Sequence, residues 1–227
     1  MKMSGLSSTI LMLNSESSPM SSNTTDPNLD FEKNDTFYDL NFEHIASKEL
    51  TLSGKTFENC TFQHCDFSNA HFIACKFVDC IFRTCNLTSL SIKNSSFNDV
   101  TFENSKIIGI NWTTAKWPYI RLCSPIRFYK SNVSHSSFFG LELKELVLEE
   151  CKCHNVDFRD ADISNGIFTE TDFESSVFIH TNMYSADFTD ATNYNINPSA
   201  NNIKKAKFSF PEVLALLNNL EIEILGI

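Results

Sequence analysis

The chain has 227 residues, 42% of them hydrophobic, and a formal charge of −10 from 28 acids against 18 lysines and arginines. This content excludes a disordered polymer, and the acidity argues against nucleic acid as a direct partner, because neutralising phosphates takes a basic surface. An acidic body suits a partner with a basic surface instead.

Residues 1–30 are rich in Ser, Met and Asn, and their one apolar run, residues 10–13, is too short for a signal-peptide core or a membrane span. Residues 1–34 therefore read as a disordered leader, with Met3, Met12 and Met20 as alternative starts. No other stretch approaches a transmembrane length, so a soluble, cytoplasmic protein with no membrane partner is expected.

Residues 35–112 form a first repeat block. Large apolar residues recur at every fifth position: Phe57, Phe62, Phe67, Phe72, Phe77, Phe82, Leu87, Ile92, Phe97, Phe102, Ile107 and Trp112. Two residues before most of them stands a smaller side chain, as at Cys60, Cys65, Ala70, Cys75, Cys80, Cys85, Ser95 and Ser105. A period of five buries a whole column on neither a helix nor a flat strand. Positions i−2 and i do share one face of an extended segment, so each pentad reads as a short strand followed by a corner. Four such sides close a turn of about 20 residues, and turns stack at about 4.8 Å. Phe37, Phe42 and Leu52 share the frame, and Ser47 interrupts it in an irregular first coil.

Residues 113–127 break the pattern, with Pro118 and Pro125 against a tidy ladder. A protruding loop with Trp117, Tyr119 and Arg121 as contact residues is expected; the alternative is a packed coil with both aromatics turned inward. The frame returns, slipped by one residue, in a second block over 128–192: Phe128, Val133, Phe138, Leu143, Leu148, Cys153, Phe158, Ile163, Phe168, Phe173, Phe178, Met183 and Phe188. Residues 193–227 read as a cap and dimerisation segment. Ser209 and Glu212, three apart with Pro211 between them, signal a capping box and a short helix, followed by a strand alternating Leu220, Ile222 and Ile224. Phe210, Val213, Leu214, Leu217, Leu220, Ile222, Ile224 and Leu225 exceed what a short helix can shelter, so a homodimer through this segment is expected.

Little in the chain points to chemistry. The column cysteines follow the period of the fold and read as small core hydrophobes; Cys151 and Cys153 fall in the same columns, and His154 reads as a corner residue pointing away. Neither a metal site nor a cofactor is expected. No nucleophile beside a base, glycine-rich phosphate loop or paired carboxylates mark an enzyme. Wound onto four sides, Glu149, Glu150, Glu170, Asp187 and Asp190 share one side as an acidic strip, which could imitate duplex phosphates to a DNA-gripping partner.

The pentads Cys65-Asp66-Phe67-Ser68-Asn69, Val156-Asp157-Phe158-Arg159-Asp160 and Ala186-Asp187-Phe188-Thr189-Asp190 resemble the pentapeptide-repeat family. That resemblance implies an all-β solenoid, a right-handed quadrilateral β-helix with a short C-terminal helix and strand. The two blocks with a central break, and the tail from Ile196 through Pro211-Glu212-Val213-Leu214 to Ile227, are similar to the Qnr quinolone-resistance group and the microcin-immunity protein McbG. This likeness implies a non-enzymatic protein acting on DNA gyrase or topoisomerase IV, by DNA mimicry or at the drug-stalled complex, that protects from quinolones or a gyrase-targeting toxin. It places the protective mid-chain loop at residues 113–125. The first block shows no second slip, which departs from the Qnr pattern, and Lys116, Arg121, Arg127 and Lys130 depart from a uniformly acidic mimic. The alternative reading is a structural or scaffold pentapeptide-repeat protein, or a secreted effector, that binds an unrelated protein.

Overall fold

A computed structural model of the chain describes residues 31, 33–117, 125–220 and 222. Most pentads centre on one buried large residue. Where a pentad forms a strand, that strand is short and keeps its central side chain inside, as in Thr56–Glu58, Thr61–Gln63 and Ile81–Arg83. Strands pair in parallel across an interval of four pentads, Phe57 with Phe77 and Phe62 with Phe82, so four sides close one turn of the solenoid. About 8 turns stack in this way.

The corners carry the local chemistry of the repeat. Two residues after the central residue the backbone turns left-handed, with φ of +51° at Asn59, +55° at Asp99 and +56° at Asn165. Asn, Asp and Gly tolerate that region best, since a short polar side chain can bond its own backbone and glycine has no Cβ to clash. Asn and Asp therefore recur there.

Two columns fill the interior. The rings stack coil on coil, Phe62 on Phe82 at 4.5 Å and Phe82 on Phe102 at 5.2 Å between centroids. The i−2 side chains satisfy backbone groups that the strand ladder leaves open. Ser95 Oγ donates to the carbonyl of Phe72 at 2.7 Å and accepts from the amide of Cys75 at 2.9 Å. The thiols also donate to carbonyls, Cys80 to Phe57 at 3.4 Å and Cys85 to Phe62 at 3.3 Å. Small residues with a polar atom suit this column because a buried carbonyl without a partner is costly.

Across the break the pairing continues. Strand Val100–Glu103 pairs with Ile81–Arg83 on one side and with Ile126–Tyr129 on the other, so that Phe102 lies between Phe82 and Phe128. The step from Phe102 to Phe128 exceeds the usual four pentads by one pentad plus one residue, which is why the frame slips by one while the ladder of paired strands on this side continues. Trp117 corrects the expectation of a projecting aromatic. It follows Phe97 by one turn, packs against the core with its ring 6.2 Å from that of Phe97, and its Nε1 donates to the Trp112 carbonyl at 3.0 Å. Tyr119 and Arg121 lie outside the described residues.

The ends differ from expectation in detail. Phe31 closes the N-terminal end, stacked 5.8 Å from Phe42 and edge-on to Phe37. Beside it Lys55 occupies an inward position, and its Nζ bonds the Asn34 carbonyl at 2.9 Å and Asp35 Oδ1 at 2.8 Å. At the other end Phe208 stacks on Phe188, and a 3-10 helix spans Glu212–Leu217. The capping box does not form. Ser209 Oγ accepts from the amide of Asp190 at 2.7 Å, and Glu212 Oε1 from that of Asn193 at 2.7 Å. Both side chains thus cap the last coil and not the helix. The expected strand lies outside the described residues apart from Leu220 and Ile222.

Candidate partner-binding surface

Successive pentads occupy successive sides, so Leu148, Phe168 and Phe188 share one side with Phe102 and Phe128. Glu149, Glu150, Glu170, Asp187 and Asp190 stand on this side or its corner. Glu150, Glu170 and Asp190 occupy the same left-handed corner in consecutive coils, with φ of +51°, +54° and +58°. Coil stacking sets them about 4.8 Å apart in height.

The strip is interrupted. Lys130 Nζ lies 3.2 Å from Glu150 Oε1, and Lys207 Nζ lies 2.8 Å from Asp187 Oδ2. Burial works against the charge of Asp187, yet bonds from Lys207 and Thr189 outweigh it and hold its carboxyl below the usual range. Ile167 is exposed amid the acids. Each lysine stands one coil from its acid, so the stacking rule that assembles the strip also accounts for its partial neutralisation.

Near the break, Arg127 pairs with Asp99 and Arg83 with Glu103, the latter at 2.7 Å. In the tail, Leu216 is the buried helix residue, Val213 packs against the core, and Leu214 and Leu217 are half-buried. Phe210, Leu220 and Ile222 are exposed; Ile224 and Leu225 lie outside the described residues.

The described cysteines are buried and unpaired. Burial pushes the Cys151 thiol up to about 12 and that of Cys153 well above its ordinary value, so neither is a nucleophile near neutral pH. His154 does not point away. It is largely buried between two carboxylates of the next coil, Nε2 lying 2.6 Å from Asp172 Oδ2 and Nδ1 3.2 Å from Glu174 Oε2. Burial opposes the Asp172 charge, but bonds from Asn193 and His154 hold its carboxyl below the usual range. Glu174 follows His154 by one full coil, the one sequence signal for this contact.

Residues 55–125 match the family described as pentapeptide repeat region, and residues 157–192 match the one described as pentapeptide repeats. No curated protein matches the sequence. Among solved structures, a trypsin-treated form of QnrB1, a plasmid-mediated fluoroquinolone resistance protein, is 18% identical with a TM-score of 0.57, covering 81% of this chain and 99% of that one. A second trypsin-treated form is 20% identical with a TM-score of 0.56, covering 84% and 92%. Full-length QnrB1 is 17% identical with a TM-score of 0.50, covering 82% and 100%. At these identities the likeness is one of fold.

Proposed function

We propose that this chain, a pentapeptide-repeat protein, works by binding and not by catalysis, and that its partner is a DNA-gripping enzyme of the type II topoisomerase class, DNA gyrase or topoisomerase IV. The observation that carries this reading is the line of Glu149, Glu170 and Asp190 on three consecutive coils, beside the ion-paired Glu150, on a rigid coil of the QnrB1 kind. Carboxylates held at regular height on a narrow rod present charges spaced along a line to a basic DNA-binding groove, and the folded backbone lowers the cost of ordering the ligand. QnrB1 is described as a fluoroquinolone resistance protein, and protection from such drugs is the outcome proposed here. The ion pairs with Lys130 and Lys207 restrict the mimicry to Glu149, Glu170 and Asp190. No described helix is long and apolar enough to cross a membrane.

A gyrase supercoiling assay with and without a quinolone tests the reading. The protein should inhibit supercoiling or rescue it from the drug at low micromolar concentration. The triple variant Glu149→Gln, Glu170→Gln, Asp190→Asn should lose that effect while keeping its melting temperature. No effect of the intact protein on gyrase or topoisomerase IV would leave the scaffold reading in its place.

A further inference from the structure

The side opposite the acidic strip, built on Phe138, Phe158 and Phe178, has another character. Among the described residues its outward positions carry only four charges, Lys93, Asp157, Arg159 and Asp160, which sum to zero in a chain of −10. It also bears three exposed large hydrophobics, Phe139 at 46%, Val177 at 39% and Ile179 at 43% exposure. These do not stand singly. Phe139, Arg159 and Ile179 follow one another at intervals of one coil and so align vertically on three consecutive coils.

Arg159 knits the patch together. Its Nε lies 2.9 Å from Asp157 Oδ1 and its terminal nitrogen 2.8 Å from Asp157 Oδ2, so its charge is matched in place. The same guanidinium covers the Phe139 ring at 5.5 Å from the centroid. The centre of the patch is thus flat, apolar and electrically neutral, with the aromatic and Arg content found at interface hot spots. Its rim is acidic. Asp160 stands at the corner and Glu142 just beyond it on one edge, and Glu174 on the other; all three are exposed.

We infer that this side is a docking surface for a basic amphipathic helix of a partner protein, lying along the rod. Two features select this occupant. Phe139 and Ile179 are two coils apart, about 9.6 Å, close to the roughly 10.5 Å between residues i and i+7 of an α-helix. A helix parallel to the solenoid axis would therefore seat one apolar side chain on each of them and an intermediate one over the Arg159 stem. The neutral centre with its acidic rim matches a helix whose apolar stripe is flanked by lysines or arginines. A patch three coils tall is also far smaller than the roughly 800 Å² per partner that a stable globular interface buries, which fits a helix better than a second copy of the chain. This surface is separate from the acidic side, so one rod can hold two partners at once.

The test uses the full chain and a labelled synthetic peptide with leucines at i, i+3, i+4 and i+7 and lysines on its flanks, read by fluorescence anisotropy. The intact protein should bind it at least about tenfold more tightly than a peptide of the same composition with scrambled order. The pair Phe139→Ser, Ile179→Ser should lose about tenfold in affinity with an unchanged melting temperature, because both side chains face outward. Independently, Asp160→Lys with Glu142→Lys should weaken binding, whereas Glu149→Gln with Glu170→Gln on the opposite side should not. Equal binding of the ordered and scrambled peptides, or full affinity in the Phe139/Ile179 pair, overturns the proposal. So does light scattering in which that pair abolishes a self-association of the intact chain while the peptide goes unbound, since a second copy would then be the occupant.

Discussion

At the residue scale, the inward column of thiols and hydroxyls is a set of polar plugs, and its chemistry can be tested one atom at a time. Ser95 is fully buried, and its Oγ serves both the Phe72 carbonyl and the Cys75 amide. Ser95→Ala removes both bonds and should cost about 1–3 kcal/mol in urea unfolding, whereas Ser95→Cys, which restores a donor of the kind used in neighbouring coils, should cost much less. The buried thiols also couple stability to pH. Cys151 has a folded value raised to about 12, above the roughly 8.5 of an unfolded thiol. Its contribution is fully present below about pH 8.5 and is lost as pH rises towards 12, because only the unfolded chain releases that proton. Stability should therefore fall between pH 8 and 10, and Cys151→Ala should flatten the decline; an identical slope in that variant would show that other groups are responsible.

At the scale of the repeat, the ladder makes inside and outside unequal. Replacing Phe77 by Ala should cost about 3–5 kcal/mol, since a rigid stack cannot close over the void, and Thr101→Ala far less. Equal losses would contradict the five-residue frame. Corners offer the opposite lever: Thr84 holds φ of +54°, which a β-branched residue adopts poorly, so Thr84→Asn should raise stability by about 1 kcal/mol in the same unfolding measurement. The frame was readable from sequence because each inward position admits only a large or a small side chain, and the columns at Phe57 and Phe128 follow at once. Other features needed the coil itself. Trp117 stands one pentad after Trp112 and so continues the column, but Pro118 directly after it and the slipped frame beyond hid that the extra residues all follow it. Ser209 and Glu212 carry a helix-start signature because the signature counts only local donors, whereas the free amides they meet belong to Asp190 and Asn193 of the preceding coil. Phe31 lies outside the five-residue frame altogether, which is why its role as a lid was not visible.

At the scale of the whole molecule, a solenoid has two ends, and each must be closed against the pairing that an open strand edge invites. The N-terminal end is closed from within, by the Phe31 ring over Phe37 and Phe42 and by the ammonium of Lys55 on Asn34 and Asp35. Among the described residues the C-terminal end is closed only in part. Ser209 and Glu212 take up two amides and Leu216 is buried, yet Phe210 remains 77% exposed, with Leu220 at 43% and Ile222 at 56%. These three apolar residues all belong to the tail of a chain whose charge otherwise keeps copies apart. A two-fold axis at that end would lay the same tail of a second copy over them and join two rods end to end, doubling the length of acidic side offered to a DNA-gripping partner. Accordingly, light scattering at micromolar concentration should give twice the mass of the chain. Phe210→Ser with Leu220→Ser should give the monomer mass with its coil intact by circular dichroism, and should weaken any effect on gyrase. A stable monomer of the intact chain would mean that the tail is a cap alone, and that a single rod must supply the whole of the binding surface.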